Sequence, residues 1–268
     1  MMRIGKPLAH PSPNHGPRRG VSAPDCVILH YTDMLCPEAA LARLCDPAAE
    51  VSAHHLIAED GRIWSLVPET ERAWHAGLSC WGGERDMNSR SVGIELANPG
   101  HGNGHAPFPA PQMRALEELL REILARWSIP PERVLAHSDI APHRKQDPGP
   151  RFDWRALALH GLSVWPEAAE PRGAGEILAD PGEILPFAAL FGYDFAGCGR
   201  ESGGDLGRDG RSPSDLGAHG TQARISEILR AVRLRFRPQS PCEALDSPAD
   251  ARDLAILEEL ARRWPCAS

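Results

Sequence analysis

The chain has 268 residues, 42% of them hydrophobic, and a formal net charge of −7. That is enough apolar material for a real core, and there is no positive excess to bind nucleic acid or an anionic membrane by charge alone. Basic and acidic residues number 17 and 19 up to Trp165 and 12 and 17 beyond it, which sum to the 29 and 36 of the whole chain, so neither part is polarised.

The first 20 residues contain four prolines, Pro7, Pro11, Pro13 and Pro17, and read as an extended tail. They lack the roughly 7 to 15 apolar residues of a secretory signal, and no later stretch approaches the roughly 18 that span a bilayer. Membrane insertion is therefore not expected. Cysteines stand at 26, 36, 45, 80, 198, 242 and 266. An odd number with no C-x-x-C pair reads as scattered unpaired thiols and favours a reducing compartment. The expectation is a cytoplasmic protein; a different true start carrying a signal peptide would place it in the periplasm instead.

Cys26 to Thr32 is a short apolar run closed by His30, the pattern of a buried strand. Pro37 to Leu44 is a short helix with proline at its start, where a missing N–H costs little. His54 to Ala58 and Arg62 to Val67 flank Glu59-Asp60-Gly61, a hairpin signal. His54 and His55 are adjacent, so in a strand they face opposite ways and cannot both bind one ion. Both are read as non-ligands. Ser91 to Leu96 is another strand, with Glu95 directed away from the face of Ile94 and Leu96. Gly100 to His105 is glycine-rich and is expected to be a flexible loop, because it lacks the full spacing of a dinucleotide fingerprint. Pro111 to Trp127 places Met113, Leu116, Leu119, Leu120, Ile123, Leu124 and Trp127 along one helical face, which is core. Strands alternating with helices and including a hairpin imply an α/β fold, a mixed central β-sheet flanked by helices.

From Val134 a short apolar strand ends at His137 and releases into a loop set by Pro142, Pro148, Gly149 and Pro150. His137 and Asp147 are nitrogen and oxygen donors ten positions apart, with Lys145 two before the aspartate. This set suits a zinc site short of one ligand, and His30, at the end of another strand, is the candidate to complete it. Two histidines and one carboxylate leave a fourth position for water, which distinguishes a catalytic zinc from a closed structural one. No cysteine cluster offers the closed alternative. His143 also lies near Asp147, and spacing alone does not choose between it and His137.

Five stretches occur in order: V-I-L-H-Y-T at 27 to 32, V-S-A-H-H-L-I at 51 to 57, R-A-W-H-A-G at 72 to 77, S-V-G-I-E-L-A-N at 91 to 98 and A-H-S-D-I-A-P-H-R-K-Q-D-P-G at 136 to 149. Together they resemble the zinc-dependent N-acetylmuramoyl-L-alanine amidases of the second amidase type, the AmpD- and AmiD-like enzymes related to peptidoglycan recognition proteins. The resemblance implies one Zn2+ on His30, His137 and Asp147, with Glu95 as general base and Lys145 stabilising the oxyanion. It also implies that Tyr31, Trp74, His75 and Asn88 line the groove for peptidoglycan fragments, anhydro-muropeptides among them. The implied reaction is hydrolysis of the amide joining the lactyl group of N-acetylmuramic acid to L-alanine, in muropeptide recycling. The alternative is a non-catalytic peptidoglycan-recognition protein. Oligomeric state is not legible.

Beyond Trp165 the composition shifts. Residues 166 to 182 read as a linker, and Glu183 to Phe191, Gln222 to Phe236 and Ala249 to Trp264 as helices of a small module, 183 to 268. Between them, Gly203 to Gly220 carries six glycines. Ile225 to Pro238 and the later D-A-R-D-L-A-I-L-E-E-L loosely resemble a three-helix peptidoglycan-binding unit. The expected layout is a tail at 1 to 20, a catalytic domain at 21 to 165, the linker and this module.

Overall fold

Two six-residue strands with almost no polar atoms at their centres set the architecture: β3, Cys26–Tyr31, and β7, Ser91–Leu96. They run parallel, side by side, in the middle of a mixed six-stranded sheet of order β1-β5-β4-β7-β3-β8. The other members are β1 (Leu8–Ala9), β4 (His55–Ile57), β5 (Ile63–Ser65) and β8 (Val134–Ala136). Near-continuous apolar runs are what a strand covered on both faces requires, and Val27, Ile28, Leu29, Val92 and Ile94 are fully buried. The computed structural model describes residues 6–169, 179–193, 221–238 and 242–266; the expected glycine-rich insertion and residues 170–178 of the expected linker lie outside them.

Register decides what the sheet can present. β3 pairs with β7 so that His30 lies beside Glu95, and paired residues of neighbouring strands share a face. β3 pairs on its other side with β8, Leu29 beside Ala136, so the next step brings His137 level with His30. β4 and β5 form the expected antiparallel hairpin, with Gly61 at φ +90° in its turn. Helix α1 (Pro37–Leu44) packs Ala40 and Leu44 against Leu56, Trp64 and Leu66. Of the further helices, the long one is Ala110–Trp127, which buries Leu116, Leu119, Leu120, Ile123 and Leu124. Its buried Gln112 donates to the carbonyls of Ile57 and Ala97, both at 2.9 Å, tying the helix to the ends of β4 and β7.

The amino-terminal segment is extended but is not a tail. β1 pairs with β5, and β2 (His15–Pro17) pairs with β6 (Glu71–Ala73) in a second, two-stranded sheet. Arg18 donates to the carbonyls of Glu69, Ser89 and Ser91. Prolines leave alternate carbonyls and amides available, and sheet edges accept them. The domain therefore begins before the expected boundary at residue 21.

The described chain forms two compact units. The first comprises Met1–Gly77, Asp86–His137 and Arg151–Val164 and holds the sheet; the second comprises Leu78–Arg85, Ser138–Pro150 and Trp165–Ser268. In the second, helices Pro181–Phe191, Thr221–Phe236 and Ala251–Arg263 replace the three expected ones within two residues at each end. They do not form a module by themselves. Trp81 packs edge-on against Phe191 and Tyr193, and Tyr193 Oη donates to Asp139 at 2.7 Å. The start of the expected linker is also structured: the amides of Glu167 and Ala168 donate to Glu259. No described helix is long and apolar enough to cross a membrane.

Candidate metal centre

His30, His137 and Asp147 are buried, and each offers one ligand atom within 4.8 Å of the others. Among the described residues no other group of three such side chains converges in this way. His30 stands at the end of β3 and His137 at the end of β8, where a four-residue helical turn, His137–Ile140, begins. The amide of Ser138 donates to the carbonyl of Asp147 at 3.1 Å, which closes the loop between them. His143 is not part of the group.

The hydrogen bonds around the two rings assign their protons. His137 Nε2 lies 3.2 Å from the carbonyl of Ala76, which can only accept, so Nε2 carries the proton and Nδ1 a lone pair. His30 Nε2 lies 3.0 Å from His75 Nδ1, and His75 Nε2 lies 3.2 Å from Ser91 Oγ. Ser91 uses its one hydroxyl proton on the carbonyl of Met87 at 2.5 Å, so it accepts from His75. With its Nε2 proton on Ser91, the neutral His75 ring accepts at Nδ1; burial, with His30 beside it, lowers the pKa of His75. His30 then donates from Nε2 and keeps its lone pair on Nδ1. The two Nδ1 atoms face each other at 2.9 Å. Two acceptors at that distance repel unless a cation lies with them, and a carboxylate completes the set. Histidine nitrogens with one carboxylate oxygen and a free position are the donors of a catalytic zinc site, so the residues fit the metal.

The remaining expected residues fall into two groups. Glu95 is half-buried, in register with His30, and Lys145 is half-buried on the turn leading to Asp147. Tyr31 and Trp74 are half-buried, with the Tyr31 hydroxyl 2.8 Å from His101 Nδ1. His75 and Asn88 are engaged with the histidine pair and the backbone beside it. His75 is turned toward His30, and the side-chain oxygen of buried Asn88 accepts the amides of His75 at 2.9 Å and Ala76 at 2.7 Å. His54 and His55 are structural: His54 Nδ1 accepts the amide of Gly93 and its Nε2 meets the carbonyl of Glu71, while His55 pairs with Glu69.

Two features escaped the sequence reading. The loop from Gly100 to His105 is pinned rather than loose: His101 and His105 stack at 4.2 Å, and Asn98 bonds to both Gly100 and Ala106. Gly100, at φ +72°, has no room for a side chain, since a Cβ would meet Asp33. The second is a thiol. Cys26, Cys36, Cys45 and Cys266 form no disulfide, but Cys80 is disulfide-bonded, which corrects the reading of every cysteine as unpaired.

Two histidines at neighbouring strand ends and a carboxylate from a later turn meet at one point, with another carboxylate in register beside His30, the arrangement of a metal-dependent hydrolase. Residues 20–150 match the family model described as N-acetylmuramoyl-L-alanine amidase. The N-acetylmuramoyl-L-alanine amidase AmiD of Escherichia coli (strain K12) is 35% identical over 257 residues, 89% of this chain and 82% of its own. The 1,6-anhydro-N-acetylmuramyl-L-alanine amidase AmpD of Enterobacter cloacae is 34% identical over 161 residues, 54% of this chain and 84% of its own. Among solved structures, the complex of E. coli AmiD with the substrate anhydro-N-acetylmuramic acid-L-Ala-D-γ-Glu-L-Lys superposes with a TM-score of 0.71 at 33% identity, covering 92% of this chain and 93% of that one. AmpDh3 of Pseudomonas aeruginosa, in complex with anhydromuramic pentapeptide, gives 0.70 at 29% identity over 99% and 100%. The chain belongs to the N-acetylmuramoyl-L-alanine amidase family.

Proposed function

We propose that this enzyme hydrolyses the amide between the lactyl group of N-acetylmuramic acid and L-alanine in peptidoglycan fragments, using one zinc ion held by His30, His137 and Asp147. The convergence of those three side chains in a chain of this family carries the reading. The ion, when bound, supplies Lewis acidity and makes water a usable nucleophile near neutral pH. Glu95 takes the proton from the attacking water and delivers it to the departing amine of L-alanine. Lys145 faces the negative charge that grows on the carbonyl oxygen. Trp74 and Tyr31 line the groove in which the fragment lies.

The solved relatives are complexes with anhydro-muramyl peptides, and fragments of that kind are the substrate proposed here, in muropeptide recycling. Incubation with an anhydro-muramyl tripeptide should release free tripeptide, detected by mass spectrometry. Chelation should abolish release and added zinc restore it; release that survives complete metal removal overturns the reading. A second reading concerns compartment. The disulfide at Cys80 favours an oxidising environment and hence action on the wall outside the cytoplasm. Fractionation of native cells with a thiol count on the recovered protein separates the two.

A further inference from the structure

Both proposed histidine ligands have their outer nitrogens served by consecutive residues. His75 contributes its ring to His30 Nε2 at 3.0 Å, and Ala76 contributes its carbonyl to His137 Nε2 at 3.2 Å. One side chain, Asn88, fixes the backbone of both through its two accepted amides. The ring of His75 is in turn held from behind by Ser91, which is itself anchored on Met87. Room for that ring exists because residue 93 is glycine: a Cβ there would lie 2.5 Å from the imidazole carbons of His75. Glycine inside a strand marks such a close approach, and here it is an imidazole that approaches.

We propose that His75, Ser91 and Asn88 are positioning residues that hold the two histidine ligands in the tautomer and orientation needed to bind the metal through Nδ1. This rests on the assignment of His30 and His137 as ligands. The hydrogen-bond order runs in one direction. Ser91 Oγ–H points to Met87 O, His75 Nε2–H to Ser91 Oγ, and His30 Nε2–H to His75 Nδ1, which leaves the His30 Nδ1 lone pair directed into the centre. A ligating histidine whose second nitrogen is bonded in this way is oriented before the metal arrives, and removal of such a partner typically costs about 10- to 100-fold in metal affinity. The W-H-A-G stretch therefore builds the metal centre and is not a wall of the substrate groove at residues 75 and 76.

Zinc affinity measured by chelator competition on the full chain tests this, with circular dichroism and melting of the metal-free protein as controls for folding. His75→Ala should weaken zinc binding about 10- to 100-fold. Asn88→Ala should act in the same direction. His75→Asn places an amide oxygen close to where Nδ1 stood and should recover much of the loss. Wild-type affinity in a folded His75→Ala protein overturns the proposal. Should His75→Ala not fold, the tautomer decides alone: long-range ¹H–¹⁵N correlation of the zinc-loaded wild type should show the His30 proton on Nε2, and a proton on Nδ1 overturns it. Failure of the underlying assignment looks different, since the wild type would then not bind zinc at one per chain and His30→Ala would change nothing.

Discussion

Both units bury polar side chains almost completely, but they balance them in opposite ways. In the second unit the most buried of these are ion-paired. Arg233 meets Asp253, and its remaining N–H groups go to the carbonyls of Ala244, Leu245, Ser247 and Pro248; Arg235 meets Asp139, which also accepts from Tyr193. In the first unit they include two imidazoles whose outer nitrogens are bonded to His75 and Ala76 while their Nδ1 atoms meet. Burial alone does not distinguish the two regions. The kind of contact does: the arginines meet carboxylates and carbonyls, and the two histidines meet each other through Nδ1.

That contrast is broken most severely at the reacting centre. Glu95→Gln keeps the shape and removes the proposed base, so turnover should fall about 10²- to 10⁴-fold while zinc stoichiometry and affinity stay as in the wild type. Steady-state kinetics with metal analysis checks both; unchanged turnover removes Glu95 from the mechanism. In the ion-paired region the loss should appear in stability instead. Arg233→Met takes from buried Asp253 one of its two cations, Arg237 remaining at 2.7 Å, and leaves the carbonyls of Ala244, Leu245, Ser247 and Pro248 without their donor, so it should cost up to about 3–5 kcal/mol in urea unfolding. An unchanged unfolding free energy would mean that Arg237 alone balances the carboxylate.

The elements of the first unit were legible where a periodic signal exists. β3, β7, the hairpin and the helix ending at Trp127 follow from apolar runs and helical spacing, and their bounds agree within a few residues. The edge strands at Leu8–Ala9 and His15–Pro17 are too short to carry a pattern, so only their extended backbone was readable. The joining of residues 78–85 and 138–150 to the C-terminal helices depends on Trp81 meeting Phe191 and Tyr193, a contact with no local signature. In the site, the nearness of His30 and His137 was readable because sheet register aligns strand ends. The direction of His75 was not, since a histidine in a loop looks the same whether it faces a groove or another ring. The clue lay in Gly93, in a strand where glycine is otherwise unfavourable.

Gly93 therefore offers a sharper probe than the histidines themselves. Gly93→Ala adds only a methyl group, but one that overlaps the His75 ring. Overpacking of this kind typically costs about 1–3 kcal/mol, and because the displaced ring is the partner of His30, zinc affinity should fall along with melting temperature. A fall in melting temperature with zinc affinity intact would show that the ring can shift without disturbing the ligand.

His54 provides the smallest test and separates an open histidine from a closed one within the same sheet. Its Nδ1 accepts from Gly93 and its Nε2 meets Glu71, so no lone pair is left over. Burial, with the charge of Arg18 adding to it, brings its pKa from 6.5 down to about 3. A histidine with a depressed folded pKa is neutral in the native state while the unfolded chain takes up a proton. Its contribution to stability is therefore complete above pH 6.5 and is lost as the pH falls from there toward 3. The slope is about 1.4 kcal/mol per pH unit, or about 2 kcal/mol between pH 6.5 and 5. Urea unfolding of metal-free protein at those two pH values, for wild type and His54→Asn, isolates the effect because the other histidines cancel in the difference. The variant, whose amide oxygen can still accept from Gly93, should start less stable and lose about 2 kcal/mol less on acidification. Equal losses in both proteins would mean that His54 is protonated in the fold, and a closed histidine would then have to be sought elsewhere in the sheet.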